Sequence, residues 1–235
     1  MSHSHPTDWE ARYTSVDRLW SGQPNEWLTA AASSWQPGSS LDVGCGEGDD
    51  VLWLAAQGWQ ATGIDLAPTA IARMLEGARE QGLAAMVTGR AWDVLAQGLP
   101  EGSWDLVTSF FMHGSHEPGG LDLVELLAQM AARVAPGGRL MTVVHAVNPP
   151  WRPAHLRTYR ATELLTELAA ALGGAGEGLG AGGSVGEGFS DDKGAGSLPG
   201  WQVEQCTEHW AQATGPDGTT ARKADAVLVL RRESV

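Results

Sequence analysis

The sequence predicts an α/β protein with a doubly wound, seven-stranded sheet that is mostly parallel and carries helices on both faces. Three observations lead to this prediction. From residue 40 onward, apolar strand segments alternate with amphipathic helical segments, which is typical of a parallel sheet covered on both sides. A glycine-rich turn joins the first strand to the helix that follows it. Two strand-like segments near the C-terminus indicate an antiparallel pair at one edge of the sheet.

The elements follow one another with clear boundaries. Gly58 is placed to end the first helix of the alternating region, and Gly82 to end the second. Pro68 suits the first turn of that second helix because its missing N–H would have no helical partner there. The predicted strands are residues 41–44, 60–65, 84–93 with its exit loop, 104–111, 139–147, 201–210 and 224–232, and the predicted helices are residues 49–57, 68–82, 121–135 and 161–174. Residues 136–138, Pro-Gly-Gly, are predicted to turn the chain.

We divide the chain into four parts of one domain. Residues 1–37 are predicted to form an N-terminal helical cover, and residues 38–172 an α/β core that binds the ligand. Residues 173–200 are rich in glycine, and because such a composition cannot offset the entropy lost on ordering, we predict a flexible insertion. Residues 201–235 supply the C-terminal strand pair that completes the same domain.

The charge and the cysteines limit the classes of function. The 235 residues carry a formal net charge of −13, which argues against binding to nucleic acid, since such binding depends on Lys and Arg. Cys45 and Cys206 lie far apart and form no metal-ligand pattern, so we predict no metal site and a reduced, intracellular protein. The N-terminus lacks the apolar segment of a signal peptide, and no run of 18 apolar residues occurs. We therefore expect a soluble, cytoplasmic protein with no membrane partner.

The most informative stretch is the glycine-rich turn, "LDVGCGEGDD", residues 41–50. In an open parallel sheet, ligands bind at the carboxyl ends of the strands where the strand order reverses, and the first strand–helix turn lies there. Gly44, Gly46 and Gly48 would let the backbone approach a ligand closely. Their spacing is G-x-G-x-G, whereas a dinucleotide fingerprint has G-x-G-x-x-G, so a nicotinamide-dependent oxidoreductase is the less favoured alternative.

Acidic residues around this turn indicate which ligand it holds. Asp42 and Glu47 would repel a pyrophosphate but would attract an ammonium or sulfonium group. Asp65, 17 residues after Gly48 at the end of the second strand, is placed to accept hydrogen bonds from two ribose hydroxyls. A ligand with a ribose, a positively charged end and no phosphate would fit these three acids, and S-adenosylmethionine is such a ligand. A non-catalytic module that binds this ligand is a further alternative.

Five motifs resemble those of the class I S-adenosylmethionine-dependent methyltransferases: "LDVGCGEG", "GIDLAP", "AWDVL", "WDLVTSFFMH" and "APGGRL". The resemblance covers about residues 38–148. The opening segment, "DWEARYTSVDRLWSGQPNEWL", resembles the small-molecule branch, the tellurite-resistance and thiopurine methyltransferase-like proteins. The resemblance implies a Rossmann-like fold and in-line transfer of a methyl group to a sulfur, nitrogen, oxygen or chalcogen nucleophile of a small molecule, with S-adenosylhomocysteine as product.

The resemblance also assigns roles to residues of the core. Asp42 would lie near the ammonium of the methionine end of the cofactor, and Asp65 would bind the ribose. The other predicted cofactor-binding residues are Gly44, Cys45 and Gly46 at the methionine end, Leu66, Trp92 and Asp93 around the adenine, Phe110 beside the sulfonium, and Trp20 as a closing residue from the N-terminal segment.

The predicted substrate residues follow the fourth and fifth strands. His113 and His116 lie on the loop after the fourth strand, and His113 is the candidate general base because histidine titrates near neutral pH. Trp151 is expected to form an apolar wall for the substrate. His145, inside the fifth strand, is interpreted as a buried histidine with satisfied hydrogen bonds. Residues 148–151, "NPPW", resemble a motif of DNA amino-methyltransferases, but they follow the wrong strand and the chain is acidic, so we reject that interpretation.

Overall fold

The computed structural model describes residues 6–112, 120–152, 157–173 and 198–234. These residues form one seven-stranded sheet, as predicted. The strands are, in chain order, β1 (Ser39–Val43), β2 (Gln60–Asp65), β3 (Val87–Ala91), β4 (Trp104–Phe110), β5 (Val134–Val147), β6 (Trp201–Thr214) and β7 (Thr220–Arg232). Their order across the sheet is β3-β2-β1-β4-β5-β7-β6. The first five strands are parallel to one another, whereas β7 is antiparallel to β5 and to β6.

Helices cover both faces of this sheet. They are α1 (Pro6–Thr14), α2 (Glu26–Ala32), α3 (Asp49–Ala56), α4 (Pro68–Glu80), α5 (Val94–Gln97), α6 (Leu123–Ala132) and α7 (Ala161–Ala171). One core lies between the sheet and α6 and α7, and a second core lies between the opposite face and α2, α3 and α4. None of the helices in the described ranges is long and apolar enough to cross a membrane.

The alternation of side chains along β1 explains why a polar residue, Asp42, lies on the opposite face of the sheet from its two apolar neighbours. Leu41 and Val43 are fully buried in the core beneath α6 and α7. Because successive side chains of a strand point to opposite faces, Asp42 faces the side of α3. The strand order reverses between β1 and β4, and in open α/β sheets the ligand crevice lies at such a reversal.

Three local expectations were wrong. Residues 136–138 do not form a separate turn but lie within β5, where the pairing with β4 is irregular. The C-terminal hairpin is longer than predicted, because residues 211–214 and 220–223 also pair and a turn at residues 215–218 closes it. A one-turn helix, α5, follows β3 and was not predicted. The predicted insertion at residues 173–200 lies largely outside the described residues.

Candidate active site

The glycine turn connects β1 to α3 with three left-handed glycines. Gly44, Gly46 and Gly48 have φ angles of 75°, 54° and 81°, a conformation that costs an L-residue with a side chain about 1–2 kcal/mol. The N–H groups of Gly44 and Cys45 donate to the carbonyl of Ile64, at 2.9 and 3.0 Å. The turn is thereby fastened to the end of β2.

Asp65 lies at the end of β2 and braces the turn. Its Oδ2 accepts the N–H of Gly46 at 2.9 Å, and its Oδ1 accepts the N–H of Ala67 at 2.9 Å. Burial raises the pKa of Asp65 above its ordinary value, although these hydrogen bonds act in the opposite direction. Since each carboxylate oxygen can accept about two hydrogen bonds, Asp65 keeps capacity for further donors.

Asp42 lies beneath the turn and is only 3% exposed. Its Oδ1 accepts a hydrogen bond of 2.7 Å from the hydroxyl of Thr108 on β4. Burial, together with the charges of Asp50 and Asp65, raises the pKa of Asp42 to about 8. Asp42 takes part in none of the ion pairs found among the described residues. A bound cation would therefore stabilise its charged form.

Glu47, which we expected to face the ligand, instead holds the N-terminal segment. Its side chain is 2% exposed and forms an ion pair of 2.7 Å with Arg73 of α4. Its carboxylate also accepts the N–H groups of Leu19 and Trp20, each at 3.0 Å. The expectation that Glu47 attracts the ligand is wrong, because its oxygens are occupied by these donors.

The next two acids of the turn bind the same segment, residues 18–25, which we call the latch segment. Asp49 forms an ion pair with Arg18. Asp50 accepts the N–H of Asn25 at 2.6 Å, and burial raises the pKa of Asp50 to about 6. The acidity of the turn therefore serves mainly to fasten the N-terminal segment over it.

Aromatic side chains of α1 and of the latch segment cover the glycine turn. Tyr13 is buried, and its hydroxyl accepts a hydrogen bond of 2.9 Å from Nε1 of Trp20. A Cβ atom at Gly46 would lie 2.9 Å from the Tyr13 hydroxyl and 3.1 Å from Trp20 Nε1. A Cβ at Gly44 would lie 2.7 Å from Sδ of Met112, the second residue after β4. Because Gly46 and Gly44 have no side chain, Tyr13 and Trp20 can cover the turn at Gly46 and Met112 can cover it at Gly44.

The predicted adenine-side residues lie near the ends of β2 and β3. Leu66 is half-buried directly after Asp65. Trp92 donates from its backbone to the Asp65 carbonyl and from Nε1 to the Gly98 carbonyl, both at 2.8 Å. Asp93 Oδ1 accepts the first N–H groups of α5, so this residue caps a helix whatever else it binds.

The remaining predicted residues are divided between the core, the sheet edge and the part of the chain outside the described ranges. The Cys45 thiol lies within 4.0 Å of Met74 Sδ in the core, so only the backbone of Cys45 can line the turn. Phe110 packs partly buried against the core on the α3 side. Trp151 packs against the turn of the β6–β7 hairpin, where a Cβ at Gly215 would lie 2.9 Å from its ring. His113 and His116 lie outside the described residues.

Several residues of the site were not predicted. Tyr13, Arg73 and Met112 contact or support the turn but lie far from it in sequence. Tyr13 stands within the quoted N-terminal segment, which was the available signal. Met112 lies in the quoted motif that ends the fourth strand, beside the residues predicted to contact the sulfonium, whereas no sequence signal distinguished Arg73 from other helix residues.

Comparison with known proteins finds a match for the part of the chain that contains this site. Residues 41–138 match a family model described as a methyltransferase domain. The matched range begins in β1 and ends in β5, so it includes the glycine turn, Asp42 and Asp65. The match agrees with the resemblance of the motifs to the class I S-adenosylmethionine-dependent methyltransferases.

Two curated relatives match about half of the chain. The probable tocopherol O-methyltransferase, chloroplastic, of Oryza sativa subsp. japonica is 40% identical over 109 residues, which are 46% of this chain and 29% of the relative. Ribosomal RNA small subunit methyltransferase C of Chromohalobacter salexigens is 34% identical over 112 residues, 46% of this chain and 32% of the relative. The chain therefore spans about a third of the length of these relatives.

Solved structures show the same fold at low identity. TehB from Haemophilus influenzae superposes with a TM-score of 0.64 at 18% identity, over 89% of this chain and 62% of that one. Magnesium protoporphyrin IX methyltransferase from Synechocystis PCC 6803 superposes with a TM-score of 0.52 at 16% identity, over 88% and 75% of the two chains. The latter contains bound S-adenosylmethionine, which is the cofactor of this class.

Proposed function

We propose that this protein transfers a methyl group from S-adenosylmethionine to a nucleophile of a small molecule. The observation that carries this proposal is the placement of Asp42 and Asp65 at the carboxyl ends of neighbouring strands, with the glycine turn between them. The two carboxyl groups suit the two polar parts of the cofactor, its ammonium and its ribose. Neither suits the pyrophosphate of a nicotinamide dinucleotide.

The residues present fit the cofactor in a definite way. Asp42 is buried without an ion-pair partner among the described residues, so the ammonium group would supply its missing cation. We propose that the backbone of residues 44–46 lines the methionine end and that Asp65 accepts the ribose hydroxyls. Leu66, Trp92 and Asp93 would contact the adenine, and Phe110 and Trp20 the region around the sulfonium.

The chemistry that remains for the protein is alignment and exclusion of water. When bound, S-adenosylmethionine supplies a methyl group that its sulfonium already activates. Holding an acceptor in line with that carbon can provide most of the acceleration. Tyr13, Trp20 and Met112 cover the turn, so they would exclude water from the reacting groups and strengthen the electrostatic interactions there.

A small-molecule acceptor is favoured by the charge of the chain. With a net charge of −13, the protein offers little attraction to phosphates. We place the acceptor beyond the ends of β4 and β5, where His113, His116 and Trp151 remain predicted contacts. A cytoplasmic location remains our expectation for an enzyme of this kind.

An RNA acceptor is the second candidate, because one relative is a ribosomal RNA methyltransferase. It predicts binding of an RNA hairpin that weakens steeply as salt is raised from 50 to 200 mM, since phosphate contacts release counterions. A small-molecule enzyme would show no such binding at either salt concentration. Fluorescence anisotropy with a labelled hairpin distinguishes the two.

Calorimetric titration with S-adenosylmethionine, S-adenosylhomocysteine and NADH tests the proposal directly. We expect binding of the first two and none of NADH. Binding of NADH alone would overturn the cofactor assignment and the site. Cofactor binding without formation of S-adenosylhomocysteine over a panel of thiol, amine, hydroxyl and chalcogen oxyanion acceptors would favour the non-catalytic module instead.

A further inference from the structure

A phenylalanine with a strained backbone follows the carboxyl end of β4. Phe111 comes directly after the last residue of that strand and has a φ of 54°. It is the one non-glycine residue with positive φ in the described parts of the chain. A bulky side chain disfavours this region of φ, and such strain tends to persist at functional sites.

Burial of the Phe111 ring does not offset this strain. The preceding residue, Phe110, packs partly buried against the core on the α3 side, whereas Phe111 is 37% exposed. An apolar side chain stabilises the fold in proportion to the surface that it removes from water. A strained residue whose ring stays partly in water indicates that the ring is presented to a ligand.

A hydrogen bond and a ring contact fix the position of Phe111. Its N–H donates to the carbonyl of Val143 on β5 at 2.8 Å. Its ring centroid lies 4.9 Å from that of His145, two residues further along β5. Nδ1 of His145 lies 2.8 Å from Oδ1 of Asp225 on β7, so the imidazole beside Phe111 is itself held in place. The Phe111 ring therefore lies just past the carboxyl ends of β4 and β5, where we place the acceptor.

The residue after Phe111 connects it to the glycine turn. Met112 Sδ would lie 2.7 Å from a Cβ atom at Gly44. Phe111 is thus adjacent in sequence to a side chain that touches the part of the turn proposed to hold the methionine end of the cofactor. A molecule that rests on the Phe111 ring would lie beside that end.

A second exposed aromatic residue borders the same turn. Trp20 is 48% exposed, and its Nε1 would lie 3.1 Å from a Cβ atom at Gly46. Gly44 and Gly46 are two residues apart, so their Cα atoms are separated by at most about 7 Å. Exposed aromatic surface therefore lies near both glycines.

The charge of the protein selects against an anionic acceptor. Asp42 and Asp65 lie at the turn, and the chain as a whole has a net charge of −13. This field repels a chalcogen oxyanion. It does not repel a neutral molecule with a flat apolar face, and aromatic rings attract one another beyond the effect of the area that they bury.

We propose that the methyl acceptor is a neutral molecule with a planar aromatic ring that stacks on Phe111, and that Phe111 is a specificity-determining residue. This inference rests on the proposed function and names its class of substrate. The strained backbone keeps the ring at the ends of β4 and β5 instead of in the core beside Phe110. Trp20 supplies further apolar surface, and chalcogen oxyanions are poor substrates.

The first test compares two molecules of nearly the same size that differ in planarity. The protein is saturated with S-adenosylhomocysteine and titrated calorimetrically with 2-naphthol and with its saturated counterpart, decahydro-2-naphthol. We expect 2-naphthol to bind about tenfold more tightly, because only a flat ring stacks on Phe111. Equal affinities, or no binding of 2-naphthol, would overturn the proposal.

Two substitutions separate the ring from the backbone strain. Phe111→Asn removes the ring and introduces a residue that tolerates positive φ, whereas Phe111→Tyr keeps both the ring and the strain. We expect Phe111→Asn to raise the Kd for 2-naphthol about tenfold, with an unchanged Kd for S-adenosylhomocysteine and a Tm no lower than that of the wild type. Phe111→Tyr should bind 2-naphthol as the wild type does. A lower Tm with an unchanged Kd for 2-naphthol would make Phe111 a packing residue and contradict the proposal.

The chain offers a matched control in Trp210. This residue is 39% exposed on β6, and the guanidinium of Arg222 lies 4.3 Å from its ring centroid. β6 is three strands away from β4 in the sheet, a distance of about 14 Å. Trp210→Thr therefore removes a similarly exposed ring far from the proposed acceptor and should not change the Kd for 2-naphthol. Equal losses in Trp210→Thr and Phe111→Asn would show that 2-naphthol does not bind at Phe111.

Sedimentation equilibrium examines whether a second copy of the chain covers the ring instead. A wild-type oligomer that Phe111→Asn dissociates would assign the ring to a subunit interface and overturn the proposal. A sedimentation profile that is the same for both proteins, together with the expected change in the Kd for 2-naphthol, supports an acceptor at this position.

Failure of this proposal can be told apart from failure of the proposed function. A protein that does not bind S-adenosylmethionine in calorimetry lacks the proposed function. A protein that binds it but shows equal affinity for 2-naphthol and decahydro-2-naphthol lacks only the aromatic acceptor site. Methylation of selenite with a higher kcat/KM than any phenol or aromatic thiol would uphold methyl transfer and refute the aromatic acceptor.

Discussion

Substitution of Glu47 by Gln should release the latch segment while leaving the rest of the fold in place. Glu47 is the acid that joins this segment to α4, because it binds the backbone of Leu19 and Trp20 and the guanidinium of Arg73. Glutamine has the same shape without the charge. The change therefore tests the ion pair and its hydrogen bonds and not the packing of the side chain.

The expected cost follows from the burial of this ion pair. Breaking a buried pair by neutralising one partner costs roughly 3–5 kcal/mol. The Arg73 side chain is 28% exposed and keeps two backbone carbonyls as acceptors, so we reduce the expected cost to about 2 kcal/mol. Since 1.4 kcal/mol is a factor of ten, the population with the segment released should rise about 30-fold.

Limited proteolysis with trypsin measures this population. Arg12 lies in α1 and Arg18 in the latch segment. Cleavage at these residues follows the population of the opened form when opening is fast compared with cleavage. The rate is obtained by mass spectrometry of the N-terminal fragments. The matched control is Glu76→Gln, which breaks the exposed pair of Glu76 with Arg79 on α4 and should change the rate little, because surface pairs contribute about 0–1 kcal/mol.

The reasoning would be refuted by equal cleavage rates in the two variants. In that case Glu47 would not hold the segment, and the acids of the turn would again be candidates for the ligand. Faster cleavage together with unchanged affinity for S-adenosylmethionine would mean that Glu47 holds the latch segment but that this segment does not contribute to cofactor binding.

Three further predictions concern the turn itself. Asp65→Ala should raise the calorimetric Kd for S-adenosylmethionine tenfold or more, because two ribose hydroxyls lose their acceptor at roughly 1–3 kcal/mol; an unchanged Kd would remove Asp65 from the site. Because burial raises the pKa of Asp42 to about 8, the folded protein keeps a proton that the unfolded chain releases near pH 4, so the Tm of the ligand-free protein should fall between pH 5 and pH 8. Asp42→Asn should show a shallower fall in scanning calorimetry, and parallel curves would argue against the shift. Gly46→Ala should destabilise the protein more than Gly82→Ala in urea denaturation, since both glycines have positive φ but only the Cβ at Gly46 meets other atoms within 4 Å; equal losses would mean that backbone strain alone is responsible.

Local patterns were sufficient for the elements of the parallel core. Residues 60–65 form a strand with the predicted bounds, and α4 begins at Pro68 as expected. These elements depend on apolar periodicity and on glycine and proline at their ends, which are properties of neighbouring residues. The glycine turn and Asp65 could be recognised for the same reason, because their spacing is short and carries a chemical meaning.

Pairing between distant segments could not be read from local patterns. The segment "ATGPDGTT" has the composition of a loop, yet in the structure residues 211–214 and 220–223 pair as strands. Each of these strands gains its hydrogen bonds from the other, so local propensity underestimates them. Residues 136–138 likewise belong to β5 because β4 lies alongside and supplies partners.

The sequence by itself determined the class of fold and the glycine turn, and it led to the prediction that two acids beside that turn bind S-adenosylmethionine. Tertiary structure decided what the remaining polar groups do, because the partner of a buried charge is set by which segments pack together. Glu47 lies within the glycine turn but binds Arg73, 26 residues away, and the backbone of the latch segment. His145 and Asp225 are separated by 80 residues and meet only because β7 pairs with β5. A buried carboxylate or imidazole must find its hydrogen-bond partners wherever the fold brings them, and that information is not contained in any short stretch of the chain.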